Sequence, residues 1–280
     1  MLSEMNLTLS GGNLAIKMSG NSGKRILALH GWLDNAASFD DLGPRITNTQ
    51  FVAADWPGHG LSSHKGPGFP YHMIDYVGVI LSILEELRWK SCVLLGHSLG
   101  GSAACLFAGA FPERVEKLIL LESAGPFSSE AEGLPDRVRK AYTELVIPAK
   151  KKNPVYPTIE EALAVRMKGF AANPVLLRKI VERGLMPVKG GFSWRSDPRL
   201  KHESPQRLTE EQVLSHLRRI TCPTLLITGK DGIKVPGSFY EIRKQSIQKF
   251  KEAEVLGQHY PHMDSPEEAA RLINEFIASA

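Results

Sequence analysis

The segment Gly96-His97-Ser98-Leu99-Gly100 sets a serine between glycines, directly after an apolar run and ahead of a stretch of small residues. A G-x-S-x-G pattern at a strand-to-helix turn lets the chain reverse sharply, strains the serine backbone and aims its oxygen outward. Gly100, Gly101, Ala103 and Ala104 would then let helix and strand approach closely. A hydroxyl is a weak nucleophile alone, so a base must reach Ser98. Of nine histidines, His30, His59 and His97 precede glycine or the serine in loops. His259 lies in Gly-Gln-His-Tyr-Pro-His-Met-Asp-Ser-Pro, after the last apolar run and before the final amphipathic stretch. Such a loop would bring it to the carboxyl edge of a sheet, where Ser98 would also sit. His262, three residues on, is the competitor, and His259 is preferred. Attack on a carbonyl also needs two N–H donors facing the developing oxyanion. One is Leu99, at the positive end of its helix. The other is Trp32 in His30-Gly31-Trp32-Leu33-Asp34, where Gly31 permits the close turn and the Trp32 ring would wall a pocket.

The elements that must hold these residues read as alternating strands and helices. Leu7–Leu9 and Leu14–Lys17 predict a hairpin joined at Gly11-Gly12-Asn13. Compact β-type runs follow at Ile26–His30, Phe51–Asp55, Cys92–Gly96 and Leu118–Glu122, with helical periodicity over 36–46, 72–88 and 99–110. Strand and helix in alternation imply a parallel sheet with right-handed crossovers. From 125 to about 217 the alternation stops, and short amphipathic helices with no convincing strand are expected. It resumes with Thr224–Thr228, a helix near 237–247, Glu254–Leu256 and a last helix over 266–278. The arrangement predicts a core domain, 1–124 with 218–280, interrupted by a helical cap over 125–217.

Composition narrows the function classes. The chain has 280 residues, 42% apolar and 23% charged, enough to bury a sizeable core and incompatible with a disordered or collagen-like protein. A net charge of +4 is too mild to imply nucleic acid. Residues 147–219 carry 15 basic and 7 acidic side chains, which reads first as a solvated helical surface and second as an affinity for acidic molecules. No apolar stretch suits a membrane span and the N-terminus lacks a secretory pattern, so a soluble cytoplasmic protein is expected. Cys92, Cys105 and Cys222 show no metal or redox spacing and read as reduced core residues. Gly20–Lys24 is no phosphate loop, because Gly-Lys is followed by Arg25. No dinucleotide fingerprint or metal constellation is visible, so neither cofactor nor metal is expected.

Taken in order, His30-Gly31-Trp32, Asp55-Trp56-Pro57-Gly58-His59-Gly60-Leu61-Ser62, the Ser98 turn and the His259 loop resemble the α/β-hydrolases over about two-thirds of the chain. HGWLDNAASFD at 30–40 and PGHGLSSH at 57–64 are most similar to the serine hydrolase-like proteins. The resemblance implies a mostly parallel eight-stranded sheet flanked by helices. It also implies that the Asp55 loop is structural. Haloalkane dehalogenases and epoxide hydrolases of this fold place an aspartate where Ser98 stands; a serine suits acyl transfer to water through an acyl-enzyme. The expected substrate is a small or medium carboxylic ester or related acyl compound. A C–C bond hydrolase or lyase, and a catalytically weak binding protein, are the alternatives.

The acid that orients the histidine departs from the family pattern. A typical member ends the strand before this loop with Gly-x-x-Asp and a proline four residues later. Aligning Gly229 and Pro236 to that pattern puts Gly232 where the carboxylate belongs, with Asp231 adjacent. Some branches instead carry the acid, often Glu, after the strand that here ends at Glu122. Glu122 is preferred and Asp231 is the alternative. In the cap, Phe127, Tyr142, Phe170, Trp194 and the basic side chains could line a pocket or pack its helices, and helical packing is expected of each. The oligomeric state is not legible.

Overall fold

A computed structural model describes residues 2–147, 153–168, 173–233 and 238–279. The chain opens with the hairpin β1 (Ser3–Leu9) and β2 (Gly12–Ser19), followed by β3 (Lys24–Leu29) and β4 (Thr49–Ala54). Helix α1 (Asp75–Glu86), β5 (Cys92–His97), α2 (Leu99–Ala110) and β6 (Val115–Leu121) complete the first half. An inserted segment then carries α3 (Leu134–Val146), β7 (Val155–Tyr156), α4 (Ile159–Met167), α5 (Pro174–Gly184), β8 (Leu185–Val188), β9 (Gly191–Trp194) and α6 (Glu210–Leu217). The chain returns through β10 (Thr224–Gly229), α7 (Ser238–Ser246), β11 (Phe250–Val255), α8 (Pro261–Asp264) and α9 (Pro266–Ala278).

Eight strands form one sheet in the order β1-β2-β4-β3-β5-β6-β10-β11. The pairs β1–β2 and β2–β4 are antiparallel and all the others parallel. Alternate side chains of a strand go to opposite faces. Leu27, Leu94, Leu120 and Leu226 therefore join one core beneath α1, α2 and α6, while Ile26, Val93, Ile119 and Leu225 join the other beneath α9. Burial on both faces is why these strands read as continuous apolar runs. Strand order reverses around β3, which places the carboxyl ends of β3 and β5 beside a crevice.

The structure corrects three local expectations. The inserted segment contains a three-stranded antiparallel sheet, β7-β9-β8, where no strand was legible. Its strands span two to four residues and include Pro187 and Gly191, too short for alternation to show. Residues 36–46 form two 3-10 turns, Ala36–Phe39 and Gly43–Arg45, rather than a helix. Pro44 lacks an N–H and lies at the start of the second turn, after Gly43, which breaks any longer ladder. Strand β11 begins at Phe250 rather than Glu254; it lies at the sheet edge with its first five residues not buried, so it shows no apolar run.

The three cysteines are buried and unpaired. Not all the basic residues of the insertion are solvated. Arg166 and Arg183 have side chains only 8% and 10% exposed, each paired with a buried aspartate of the main sheet's loops. Among the described residues no helix is long and apolar enough to cross a membrane. Phe170 and Pro236 lie outside the described residues.

Candidate active site

Ser98 follows β5 and precedes α2, with φ 50° and ψ −111°. A positive φ is costly for a residue with a Cβ and marks a turn held by its surroundings. What holds it is local: the Ser98 N–H donates to Leu121 O at 2.9 Å, and the Ser102 N–H donates to Ser98 O at 3.0 Å. A side chain at Gly100 would strike the backbone of Leu29, so the glycines of the motif are required for packing. Leu99 is the first residue of α2, where the N–H has no intrahelical acceptor.

Glu122 leaves β6, the neighbouring strand, with φ 51°. Two adjacent parallel strands thus end in strained residues that carry side chains to the same edge. The Glu122 carboxylate accepts the Gly229 N–H at 2.7 Å through Oε1 and the Ile233 N–H at 3.0 Å through Oε2. Its Oε2 also lies 3.5 Å from Nδ1 of His259, with the two side chains 2% and 10% exposed. Two backbone donors fix the carboxylate so that its remaining lone pairs address the imidazole. Asp231 is solvent-exposed, and its own N–H is spent on Gly257 O.

His259 and His262 divide clearly. His259 lines the same cavity as Ser98, Glu122, Leu99 and Trp32. His262 is fully buried, with Nε2 2.7 Å from Ser38 Oγ and its ring against Phe39. Burial pushes its pKa well below the ordinary histidine range. His30 is likewise structural: its Nε2 accepts the Trp56 N–H at 3.1 Å. Asp55 accepts the Ala36 and Leu61 N–H groups and the Arg183 guanidinium.

Trp32 borders the cavity, its ring held by an indole N–H donated to Leu200 O at 3.0 Å. Among the described residues no acceptor takes its backbone N–H. The cavity measures about 800 Å³ and lies between the sheet edge and the inserted segment, with Lys201 and Glu203 among the residues the segment contributes. Of the aromatic residues expected to pack the insertion, Phe127 instead borders this cavity and is 79% exposed. It follows the chain's exit from β6, before any helix of the insertion begins. Tyr142 is also largely exposed, while Trp194 packs against Tyr156.

Sequence reasoning missed a second group of buried polar residues behind Ser98. Asp34, Arg166, Tyr260 and His97 meet there, from four separate elements. Asp34 stands in the quoted HGWLDN stretch, but nothing local links it to Arg166, whose partner is distant in sequence. Burial by itself would raise the Asp34 pKa; the Arg166 charge leads the opposing interactions, and the carboxyl is held well below the usual range.

A mostly parallel eight-stranded sheet, with a serine turned out after β5 and a histidine in the loop after the last strand, defines the α/β-hydrolase class. The family model described as alpha/beta hydrolase fold matches residues 24–266, and the chain belongs to this family. It is 32% identical to a serine hydrolase-like protein of Danio rerio, over 98% of this chain and 88% of that one. It is 33% identical to a serine hydrolase-like protein of Mus musculus, over 98% and 95% of the two chains. A crystal structure of a hypothetical protein from Pseudomonas aeruginosa PAO1 superposes with a TM-score of 0.92 at 35% identity, covering 99% of both chains.

Proposed function

We propose that the protein is a serine hydrolase that cleaves a small or medium carboxylic ester, or a related acyl compound, through an acyl-enzyme. The observation that carries this reading is the 3.5 Å approach of Glu122 to His259 Nδ1, in a cavity that Ser98 also lines. In this reading His259 takes the Ser98 proton as its oxygen bonds to the ester carbonyl carbon. The tetrahedral oxyanion is met by the N–H groups of Trp32 and Leu99. As the intermediate collapses, the C–O bond to the alcohol breaks and His259 returns the proton to the leaving oxygen. Water then repeats the cycle on the acyl-enzyme and releases the acid. Glu122 holds the imidazole in the required tautomer and offsets its transient charge.

Residues 125–217 serve as a cap over a core of 1–124 and 218–280, and set the size of the acyl and alcohol pockets. A cavity of about 800 Å³ is in the range of small-molecule sites. The test is covalent labelling with a fluorophosphonate probe, followed by turnover of a chromogenic ester series of increasing acyl length. Labelling at Ser98, with a maximum at short or medium chains, is expected. A folded protein that neither labels nor turns over any ester would overturn the reading.

A further inference from the structure

The residue before the serine lies at the end of β5 with its side chain 1% exposed. That residue is His97. Its Nε2 lies 2.8 Å from the backbone carbonyl of His259. A carbonyl can only accept, so this nitrogen carries a proton and donates. Its ring also packs against those of His259, Tyr260 and His262, at centroid distances of 4.7 to 4.9 Å. The other ring nitrogen, Nδ1, faces Asp34 Oδ2 across 3.6 Å. A buried carboxylate opposite a ring nitrogen is tolerable here because its charge is already matched. Asp34 Oδ1 receives Arg166 Nη2 at 2.5 Å and the Tyr260 hydroxyl at 3.2 Å. A methyl group at Gly31 would lie 2.8 Å from Asp34 Oδ2 and 2.9 Å from His97 Nδ1, so the glycine of the His-Gly-Trp stretch leaves the space in which this contact forms.

We infer that His97 is a positioning residue for His259, and that Arg166 of α4, acting through Asp34, ties that positioning to the seating of the inserted segment. The inference rests on the reading of Ser98, His259 and Glu122 as the catalytic group. The carbonyl of residue 259 fixes the peptide plane from which the His259 side chain departs. It belongs to a loop whose turn at Gly257 has φ 135°. A hydrogen bond to that carbonyl from the strand that also ends at Ser98 sets nucleophile and base in one frame. Misplacing a catalytic group by an ångström can cost about a hundredfold in rate.

The experiment compares His97→Phe, which keeps a ring without the donor, with His97→Gln, whose amide can donate near the Nε2 position. Turnover of p-nitrophenyl butyrate is expected to lose about ten- to a hundredfold in kcat in the phenylalanine variant, with KM within about twofold. The glutamine variant should recover most of the loss. Should His97→Phe fail to fold, His97→Asn, which withdraws the donor from that position, replaces it with the same expectation. The double variant Asp34→Asn with Arg166→Met should lower kcat several-fold, and adding it to His97→Phe should cost little more, because both act through one chain of contacts. Normal kcat in His97→Phe, or equal damage in the phenylalanine and glutamine variants, overturns the inference; fully additive losses detach Arg166 from it. Ser98→Ala and Glu122→Gln run beside them. If those retain turnover, the catalytic reading itself fails. If they abolish it while His97→Phe is normal, the positioning role alone does.

Discussion

The carboxylate of Glu122 occupies the space that a side chain at Gly232 would need. In the proposed catalytic group the acid comes across from the end of β6, with Glu122 Oε2 3.5 Å from His259 Nδ1, rather than from the loop after β10. A Cβ at residue 232 would lie 2.1 Å from Glu122 Oε1, so a side chain there would have to displace the carboxylate. The glycine at 232 leaves the room that the Glu122 carboxylate takes up.

Gly232→Ala should be a sensitive test of that relationship. The overlap is with the far end of a flexible side chain, so the melting temperature is expected to stay within a few degrees. The displaced carboxylate should still lower kcat by about a hundredfold. Unchanged kcat in a folded Gly232→Ala protein would show that Glu122 has no orienting duty.

Glu122→Gln is expected to reduce turnover by around ten-thousandfold through the wrong imidazole tautomer. Asp231→Asn, altering an exposed side chain, should leave turnover near normal. Steady-state kinetics at neutral pH with a folding check by circular dichroism decides between them; a collapse confined to Asp231→Asn reverses the assignment.

Ser98→Ala should cost about a thousandfold or more in kcat, since members of such a group act as one unit. His259→Ala should match it, whereas His262→Ala should keep most of the activity and lower the melting temperature, because its ring is buried against Phe39 and Ser38. Equal inactivation by both histidine variants without unfolding would contradict the division of roles.

Stability should fall on acidification well before the carboxylates titrate. Burial lowers the pKa of His30 to about 4 and of His59 to about 3. Both bind a proton more readily in the unfolded chain, whose histidine pKa is about 6.5. Their contribution is complete above that value and is lost progressively as pH falls through 6.5 toward their folded pKa values. For His30 the loss amounts to about 3 kcal/mol by pH 4. Urea midpoints measured from pH 8 to pH 4 should therefore be flat above pH 7 and decline below 6.5. A constant midpoint down to pH 4.5 would disprove this account.

Arg183→Met should destabilise the fold by about 3–5 kcal/mol, because it leaves a buried carboxylate without its countercharge. The Asp55 side chain is 0% exposed and receives Arg183 at 2.5 and 2.7 Å. Pairing the change with Asp55→Asn should restore part of the loss, as read from urea denaturation. No change in the single variant would mean that water compensates Asp55.

Much of the sheet was legible because its central strands are buried on both faces and read as apolar runs. The strained turn at Ser98 was legible because its pattern is confined to five consecutive residues. Position along the chain distinguishes the two histidines of this loop: His259 lies in the turn before the short helix α8, and His262 lies within that helix. The insertion was opaque for the opposite reasons. Its strands are too short to have a period, and its two most buried arginines look like surface charge until their partners, 132 and 128 residues away, are placed beside them. Phe127 was misread because an aromatic residue bordering a cavity and one packing a helix have the same local sequence signature.

The two arginine–aspartate fastenings bear on how this protein could be re-engineered. The insertion enters and leaves between β6 and β10 as though it were a replaceable part, yet each of those aspartates lies closed within the main body. A chimera carrying a relative's insertion would need an arginine at both points of attachment, or neutral residues at 34 and 55. Without one of those provisions the graft would carry two uncompensated carboxylates, and exchanging specificity by swapping this segment would fail at the folding step before any substrate was offered.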